Sequence, residues 1–156
     1  MVAEVLAHLE PRRGGVFIDC TVGLGGHSRA LLDAGATRLI GLDRDLEALR
    51  LARESLAPYG DRAELVHSDY RAMTGVLDVR GIGSVQGVLA DLGVSSLQLD
   101  AADRGFSFRR DDPLDMRIDT TRGQTAAEAI AAAAEQTLAD VIYEFGEERH
   151  ARRVAR

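Results

Sequence analysis

With 156 residues, 46% of them hydrophobic and 28% charged, the chain has the size and balance of one globular domain, which excludes a disordered or fibrous class. A formal net charge of −6 excludes a protein that coats polyanions with its whole surface, although a local basic patch remains compatible with it. The lone Cys20 cannot close an internal disulfide and has no metal-ligand cluster beside it, and no stretch is long and apolar enough for a membrane helix. The expected setting is therefore a reducing cytoplasm, with no metal and no membrane partner.

In chain order, Val2 to Leu9 reads as a short amphipathic helix with Val2, Val5, Leu6 and Leu9 on one face and Pro11 beyond its end. A β-prone run, Val16 to Ile18, then delivers Asp19. After Cys20-Thr21-Val22 come Gly23, Gly25 and Gly26, and a helix from His27 to Ala34 that Gly35 stops. Arg38 to Leu42 is a second strand ending in Asp43, and Asp45 caps a helix from Leu46 to Leu56. Ala63 to His67 is a third strand, Tyr70 to Leu77 a short helix, and Val85 to Leu92 a fourth, nearly continuous apolar strand. Strands alternating with helices imply an α/β architecture with a parallel sheet, for which the expected strand order is 3-2-1-4.

Beyond that point the pattern changes. Residues 93 to 124 show little periodicity, many Asp and Arg residues and two phenylalanines, Phe106 and Phe108, as a long functional loop or inserted segment does. Thr125 to Glu128 reads as a capping box. A second helix is expected to start at Thr137 and to bury Leu138, Val141, Ile142 and Phe145 until Gly146 interrupts it, and EERHARRVAR begins a further helix. The expected organisation is residues 1–98 as the sheet-bearing part and 99–156 as the start of an inserted helical subdomain. Four parallel strands are about half of the usual open sheet, with an apolar fourth strand at its edge. The chain is accordingly expected to be an N-terminal fragment with an incomplete parallel sheet.

In open α/β sheets ligands bind beyond the carboxyl ends of the strands. Here Asp19 and the glycines, Asp43, Ser68-Asp69 and Asp91 stand at those ends. Glycine tolerates positive φ and admits a ligand close to the backbone, and the following helix start offers free amides. Asp43 follows Gly23 at the spacing of about 20 residues at which an acid reaches ribose hydroxyls. Its removal is expected to abolish cofactor binding and leave the fold intact. Both a nicotinamide dinucleotide and S-adenosyl-L-methionine carry such an adenosine. The dinucleotide calls for a third glycine to complete GxGxxG, a place that His27-Ser28 does not fill, which puts methyl transfer ahead of hydride transfer.

The segments DCTVGLGGHS, GLDRD, DLGVSSLQLDAADRGFSFRRDDPLDMRID and EFGEERHARRVAR, in this order over nearly the whole chain, resemble the bacterial 16S ribosomal RNA cytosine N4-methyltransferase family. The resemblance implies a Rossmann-like class I S-adenosyl-L-methionine-dependent methyltransferase fold with part of a helical insertion, and a partner in 16S ribosomal RNA within the small subunit. It implies cofactor contacts at Gly25, Gly26, His27, Asp43, Tyr70, Asp91 and Gln98, and leaves the catalytic residue unnamed.

Several residues keep two readings. Tyr70 either lays its ring on adenine or packs in the core, and Asp69 either bonds the adenine amino group or forms a turn. Without the resemblance, His27 is an incidental helix-start histidine and Gln98 a surface glutamine. Asp91 or a nearby carbonyl is a candidate acceptor for the amino hydrogen of the base, with Ser95 or Ser96 orienting it. Phe106 and Phe108 either stack on bases or pin the loop, and the arginines from Arg109 to Arg122 either meet phosphate or pair with the interleaved acids. The arginines from Arg149 to Arg156 make a cleaner basic face, for which a solvated helix face is the commoner explanation. Leu97 and Ile118 depart from the family's proline and methionine. The histidine and proline-valine segment expected before the first helix is missing, and so is the family's C-terminal half, which puts activity of the chain by itself in doubt. A fragment of an NAD-dependent oxidoreductase and a non-catalytic nucleotide- or RNA-binding fragment are the alternatives.

Overall fold

The computed structural model describes residues 1–156, which form two compact units, Met1–Leu97 and Gln98–Arg156. The first unit holds four parallel strands, β1 (Val16–Asp19), β2 (Arg38–Asp43), β3 (Ala63–His67) and β4 (Gly87–Leu89), in the order β3-β2-β1-β4. Ile18 sits opposite Ile40 on one side and Val88 on the other, so the register places the carboxyl ends of β1, β2 and β4 together.

The strands are apolar almost throughout because both faces are covered. Alternate residues point to opposite faces, and two core layers result. On one face Phe17 and Leu39 pack with Leu31 and Leu32 of α2 (Gly26–Asp33) and Leu49, Ala52 and Leu56 of α3 (Leu46–Leu56), with α1 (Val2–Leu9) adding Val5, Leu6 and Leu9. On the other face Ile18, Cys20, Ile40 and Leu42 meet Met73, Val76 and Leu77 of α4 (Met73–Asp78) and Ile82 and Val85. Asp45 caps α3 by accepting from the Glu47 amide at 3.1 Å, as its position before the apolar stripe predicts.

Two expected elements come out shorter. The fourth strand spans only Gly87–Leu89, not Val85 to Leu92, because the ladder is replaced by side chains at both ends. The Gln86 Oε1 accepts from the Val16 amide at 2.5 Å before it, and the Asp91 amide donates to Thr21 Oγ1 at 2.7 Å after it. The helix expected over Tyr70 to Leu77 divides into a 3₁₀ turn, Tyr70–Ala72, and α4, because the Asp69 carboxylate caps the Arg71 amide and tightens the first turn. β4 has no strand on its outer side, and Val88 is 46% exposed there.

In the second unit α6 (Ala126–Ala132) carries the expected capping box. The Thr125 amide donates to Glu128 Oε2 at 2.8 Å, and the Glu128 amide donates back to Thr125 Oγ1 at 3.2 Å. α7 runs over Glu135–Gly146, two residues earlier than Thr137 predicts, and its stop is Glu147 in a left-handed conformation (φ 52°). It packs on α8 (Ala151–Ala155) through a narrow stripe, so Ala139 is its buried residue and Leu138 and Ile142 are half-buried. Val141 and Phe145, expected inside, are 47% and 77% exposed. α5 (Ser96–Asp100) is a single short turn of helix.

Candidate functional site at the strand ends

Asp19 closes β1 and is 1% exposed. Its Oδ1 accepts from the Thr21 amide at 3.1 Å and its Oδ2 from the fully buried Ser28 hydroxyl at 2.7 Å. Burial pushes the Asp19 carboxyl above the usual carboxylate range, against the pull of those two bonds. Asp19 therefore clasps the glycine turn to the first turn of α2, and both of its oxygens face protein.

Within the turn Gly23 (φ 51°) and Gly25 (φ 84°) occupy the left-handed region that side chains with a Cβ avoid. Gly25 is also buried, and a Cβ added there would lie 3.2 Å from Leu56 Cγ. At Gly26 the space a Cβ would fill is open, with no heavy atom within 4 Å, on the exposed side of the α2 start. A ligand can approach the backbone here, and the unbonded amides of the first helical turn face it with the positive end of the dipole.

Asp43 ends β2. Its Oδ2 accepts from the Gly23 amide at 2.8 Å and its Oδ1 from the Asp45 amide at 2.9 Å. The residue is half-buried, and a carboxylate oxygen that accepts one hydrogen bond has capacity for another. It thus fastens the glycine turn to the loop before α3 while still presenting an acceptor. These two backbone bonds mean that its removal, expected to leave the fold, would also cost stability.

Asp91, beyond β4, is 52% exposed and lies 3.7 Å from His27 Nε2 through its Oδ2. The other ring nitrogen of His27, Nδ1, is buried and has no partner, which leaves one polar atom inside the site unsatisfied by protein. Thr21 was not singled out by spacing, yet its hydroxyl anchors the Asp91 amide and so ties the loop after β4 to the loop after β1. Ser28 was missed in the same way, since nothing in the order of residues marks it as Asp19's partner.

Tyr70 is 44% exposed at the rim, which removes the core-packing reading. Asp69 forms the turn: it accepts from the Arg71 amide at 2.9 Å and from its guanidinium at 3.0 and 2.8 Å, with Arg44 at 3.6 Å. The Arg71 guanidinium and amide hold this carboxyl far below the usual range, so Asp69 is committed to arginine and backbone. Gln98 belongs to the second unit, where it is 5% exposed in α5 rather than at the surface.

In the second unit most of the interleaved charges pair internally. Arg117 meets Asp115 at 2.7 Å, Arg122 meets Asp119 at 2.6 Å, and Arg110 meets Asp112 at 3.1 Å. Arg156 reaches Glu135 at 3.5 Å, and Arg149, Arg152 and Arg153 line a cavity of about 590 Å³ with Tyr143 and His150. Phe106 is half-buried while Phe108 is 98% exposed, so the two phenylalanines divide the pinning and stacking readings between them. No group of three His, Cys, Asp or Glu side chains is placed to hold a metal ion, and no helix is long and apolar enough to cross a membrane.

The open Gly26 backbone, the unsatisfied His27 Nδ1, the half-buried Asp43 carboxylate and the exposed Asp91 carboxylate fit a ligand that combines hydroxyls, a charged end and a flat ring for Tyr70. An adenosine bearing an amino-acid tail has those parts.

The chain is 50% identical over 157 residues to a ribosomal RNA small subunit methyltransferase H of Geotalea uraniireducens (strain Rf4), covering 99% of this chain and 50% of that protein. It is 52% identical over 158 residues to the protein of the same name from Syntrophotalea carbinolica, covering 100% and 50%. Against that of Streptomyces avermitilis it is 52% identical over 152 residues, covering 97% and 48%. The chain thus spans about half the length of the curated relatives it matches. With the model of the MraW methylase family matching residues 1–156, the chain belongs to that family.

Proposed function

We propose that this chain is the cofactor-binding part of an S-adenosyl-L-methionine-dependent methyltransferase that acts on the exocyclic N4 amino group of a cytosine in 16S ribosomal RNA. The supporting observation is the set of polar groups around one glycine turn that protein does not fully occupy, the bare Gly26 backbone, the partnerless His27 Nδ1, the half-buried Asp43 and the exposed Asp91. The relatives' shared name, a small-subunit ribosomal RNA methyltransferase, supports the substrate class.

In this reading Asp43 accepts from the ribose hydroxyls, Tyr70 lies against the adenine, and Gly25, Gly26 and His27 receive the amino-acid end through main-chain amides and the ring. The bound cofactor supplies an activated methyl group on sulfur. The cytosine amino nitrogen is a poor nucleophile because its lone pair is delocalised into the ring. The chain's contribution is alignment, together with an acceptor for the amino hydrogen that localises the lone pair. Asp91, exposed beyond the end of β4, or a nearby main-chain carbonyl takes that acceptor role in this reading.

Paired calorimetric titrations test the cofactor: S-adenosyl-L-methionine is expected to bind and NAD not to compete. Preference for NAD would replace the reading by an oxidoreductase, and binding of neither would leave a non-catalytic fragment. For the base, label carried from the cofactor into 16S RNA is expected to appear as N4-methylcytidine on nucleoside digestion. Label on another nucleoside would overturn that assignment.

A further inference from the structure

Phe108 is the most exposed large apolar side chain of the protein, with 98% of its surface free. Leaving a phenylalanine in water forgoes the gain its burial would give, so a ring held outward invites the question of what covers it.

The segment around it is fixed. Arg110 donates to the carbonyls of Asp100 at 2.9 Å, Ala101 at 2.7 Å and Leu99 at 3.3 Å, and to Asp112 Oδ2 at 3.1 Å. Arg104 donates to the carbonyls of Arg117 at 3.2 Å and Ile118 at 3.0 Å, and its own carbonyl accepts from the Met116 amide at 2.9 Å. Gly105 between them is in the left-handed region (φ 69°), and a Cβ there would sit 2.5 Å from the Pro113 carbonyl. Half-buried Phe106 and an Arg109 amide donating to Ser107 Oγ at 3.2 Å complete the base of the loop. Phe108 thus projects from a pre-organised scaffold, and little ordering entropy is lost when something stacks on it.

Arg109, next to it, differs from its neighbours. Arg104, Arg110, Arg117 and Arg122 are all engaged with carbonyls or carboxylates, whereas the Arg109 side chain is exposed and makes neither an ion pair nor a side-chain hydrogen bond. An exposed aromatic face beside an uncommitted guanidinium complements the repeating unit of single-stranded nucleic acid, a base with its phosphate. Exposed Asp111 two residues on weakens the pull on phosphate, which puts the weight of recognition on stacking.

We propose that Phe108 is a stacking platform for an unpaired base of RNA, with Arg109 contacting the adjoining phosphate. The ligand class rests on the reading of the chain as part of an RNA-modifying enzyme; the surface itself is assigned by exposure, rigidity and charge.

The protein contains no tryptophan, so Phe108→Trp places a single indole reporter at this position. Titration with an unstructured ten-nucleotide RNA is expected to quench it, whereas heparin, a polyanion without bases, leaves it unchanged. Phe108→Ala is expected to weaken RNA binding about 5- to 100-fold without altering S-adenosyl-L-methionine binding, the range that loss of one stacked base gives. Arg109→Gln is expected to lower the slope of log affinity against log salt by about 0.7, one phosphate's worth. A Phe145→Trp reporter, on an equally apolar but acid-flanked site beside Glu144 and Glu147, should not respond to RNA.

Equal quenching by heparin, equal quenching at Phe145, or unchanged affinity of Phe108→Ala overturns the proposal. Quenching that grows with protein concentration alone also overturns it, in favour of a second copy as the occupant. A protein that binds S-adenosyl-L-methionine while its Phe108 reporter ignores RNA loses this proposal and keeps the methyltransferase reading. One whose reporter responds to RNA without cofactor binding does the reverse.

Discussion

Replacing Asp43 by alanine removes the acceptor for two backbone amides, those of Gly23 and Asp45, held at 2.8 and 2.9 Å. A hydrogen bond to a charged group contributes roughly 1.5–3 kcal/mol, but this carboxylate is half-buried and water can replace part of it. The two bonds also share one side chain and do not add fully. A destabilisation of about 1–3 kcal/mol follows, a large share of the 5–15 kcal/mol that about sets a domain's stability. Loss of the ribose acceptor should in addition weaken S-adenosyl-L-methionine by about one to three orders of magnitude. Asp43→Asn separates the two roles. Its amide oxygen still serves one backbone donor while its NH₂ faces the other, so stability falls by less, yet the charge that the ribose hydroxyls meet is gone. Urea unfolding read at its midpoint gives the first quantity and calorimetric titration the second. A midpoint for Asp43→Ala equal to that of the wild type would refute the fastening role, and unchanged cofactor affinity in a folded Asp43→Ala would refute the ribose assignment.

Thr21→Val keeps the shape of the side chain but strips the Asp91 amide of its acceptor, which is expected to raise the cofactor dissociation constant about 10-fold, with Thr21→Ser restoring it; equal affinities for all three remove Thr21 from the site. Asp19 has a folded-state pKa above its unfolded value, so the native state binds its proton more readily and stability falls as pH rises from about 4. Urea midpoints from pH 4 upward should therefore show a decline that Asp19→Asn lacks, and identical profiles would refute the burial argument. Asp115 behaves oppositely. Arg117 lowers its pKa to about 2, so its contribution is present above the unfolded value and lost as pH falls from about 4 toward 2. Asp115→Asn is expected to cost about 1 kcal/mol or less at pH 7 and only a small fraction of that at pH 2, where about half of the native carboxyls are protonated, and a cost as large at pH 2 as at pH 7 would show that the loss is not electrostatic.

The layered sheet was readable because its signals are local and repeat. Each strand is an apolar run bounded by a turn residue, and each helix on the sheet carries its stripe, so Phe17, Ile18, Leu39 and Ile40 declare two buried faces by alternation alone. The misjudged bounds share one cause, a side chain substituting for backbone. Gln86 and Thr21 take over the ladder positions that would have lengthened β4, and the Asp69 cap diverts the chain into a 3₁₀ turn before α4. No hydrophobic period records such a replacement. In α7 the period was present but its meaning was not, because a helix that packs only on the short α8 buries a narrow stripe and leaves Val141 and Phe145 outside.

Four carboxylates at the strand ends look equivalent in sequence, and what differs among them is how many donors reach each one and how much water remains around it. Asp19 meets the Thr21 amide and the Ser28 hydroxyl in a dry environment, so it holds the turn together and has nothing left for a ligand. Asp69 meets Arg71 three times and is likewise spent. Asp43 meets two amides but remains half in solvent, so it both fastens and presents. Asp91 uses only its own backbone amide, to Thr21, and leaves its carboxylate exposed, with His27 Nε2 at 3.7 Å. Charge-bearing capacity toward a ligand therefore rises from β1 through β2 to β4. A carboxylate buried among donors has already exchanged its water for protein, whereas one left in water can still exchange it for a substrate. In the proposed function that gradient, more than the glycine turn itself, is what would direct the reacting end of the cofactor toward Asp91 and its ribose toward Asp43.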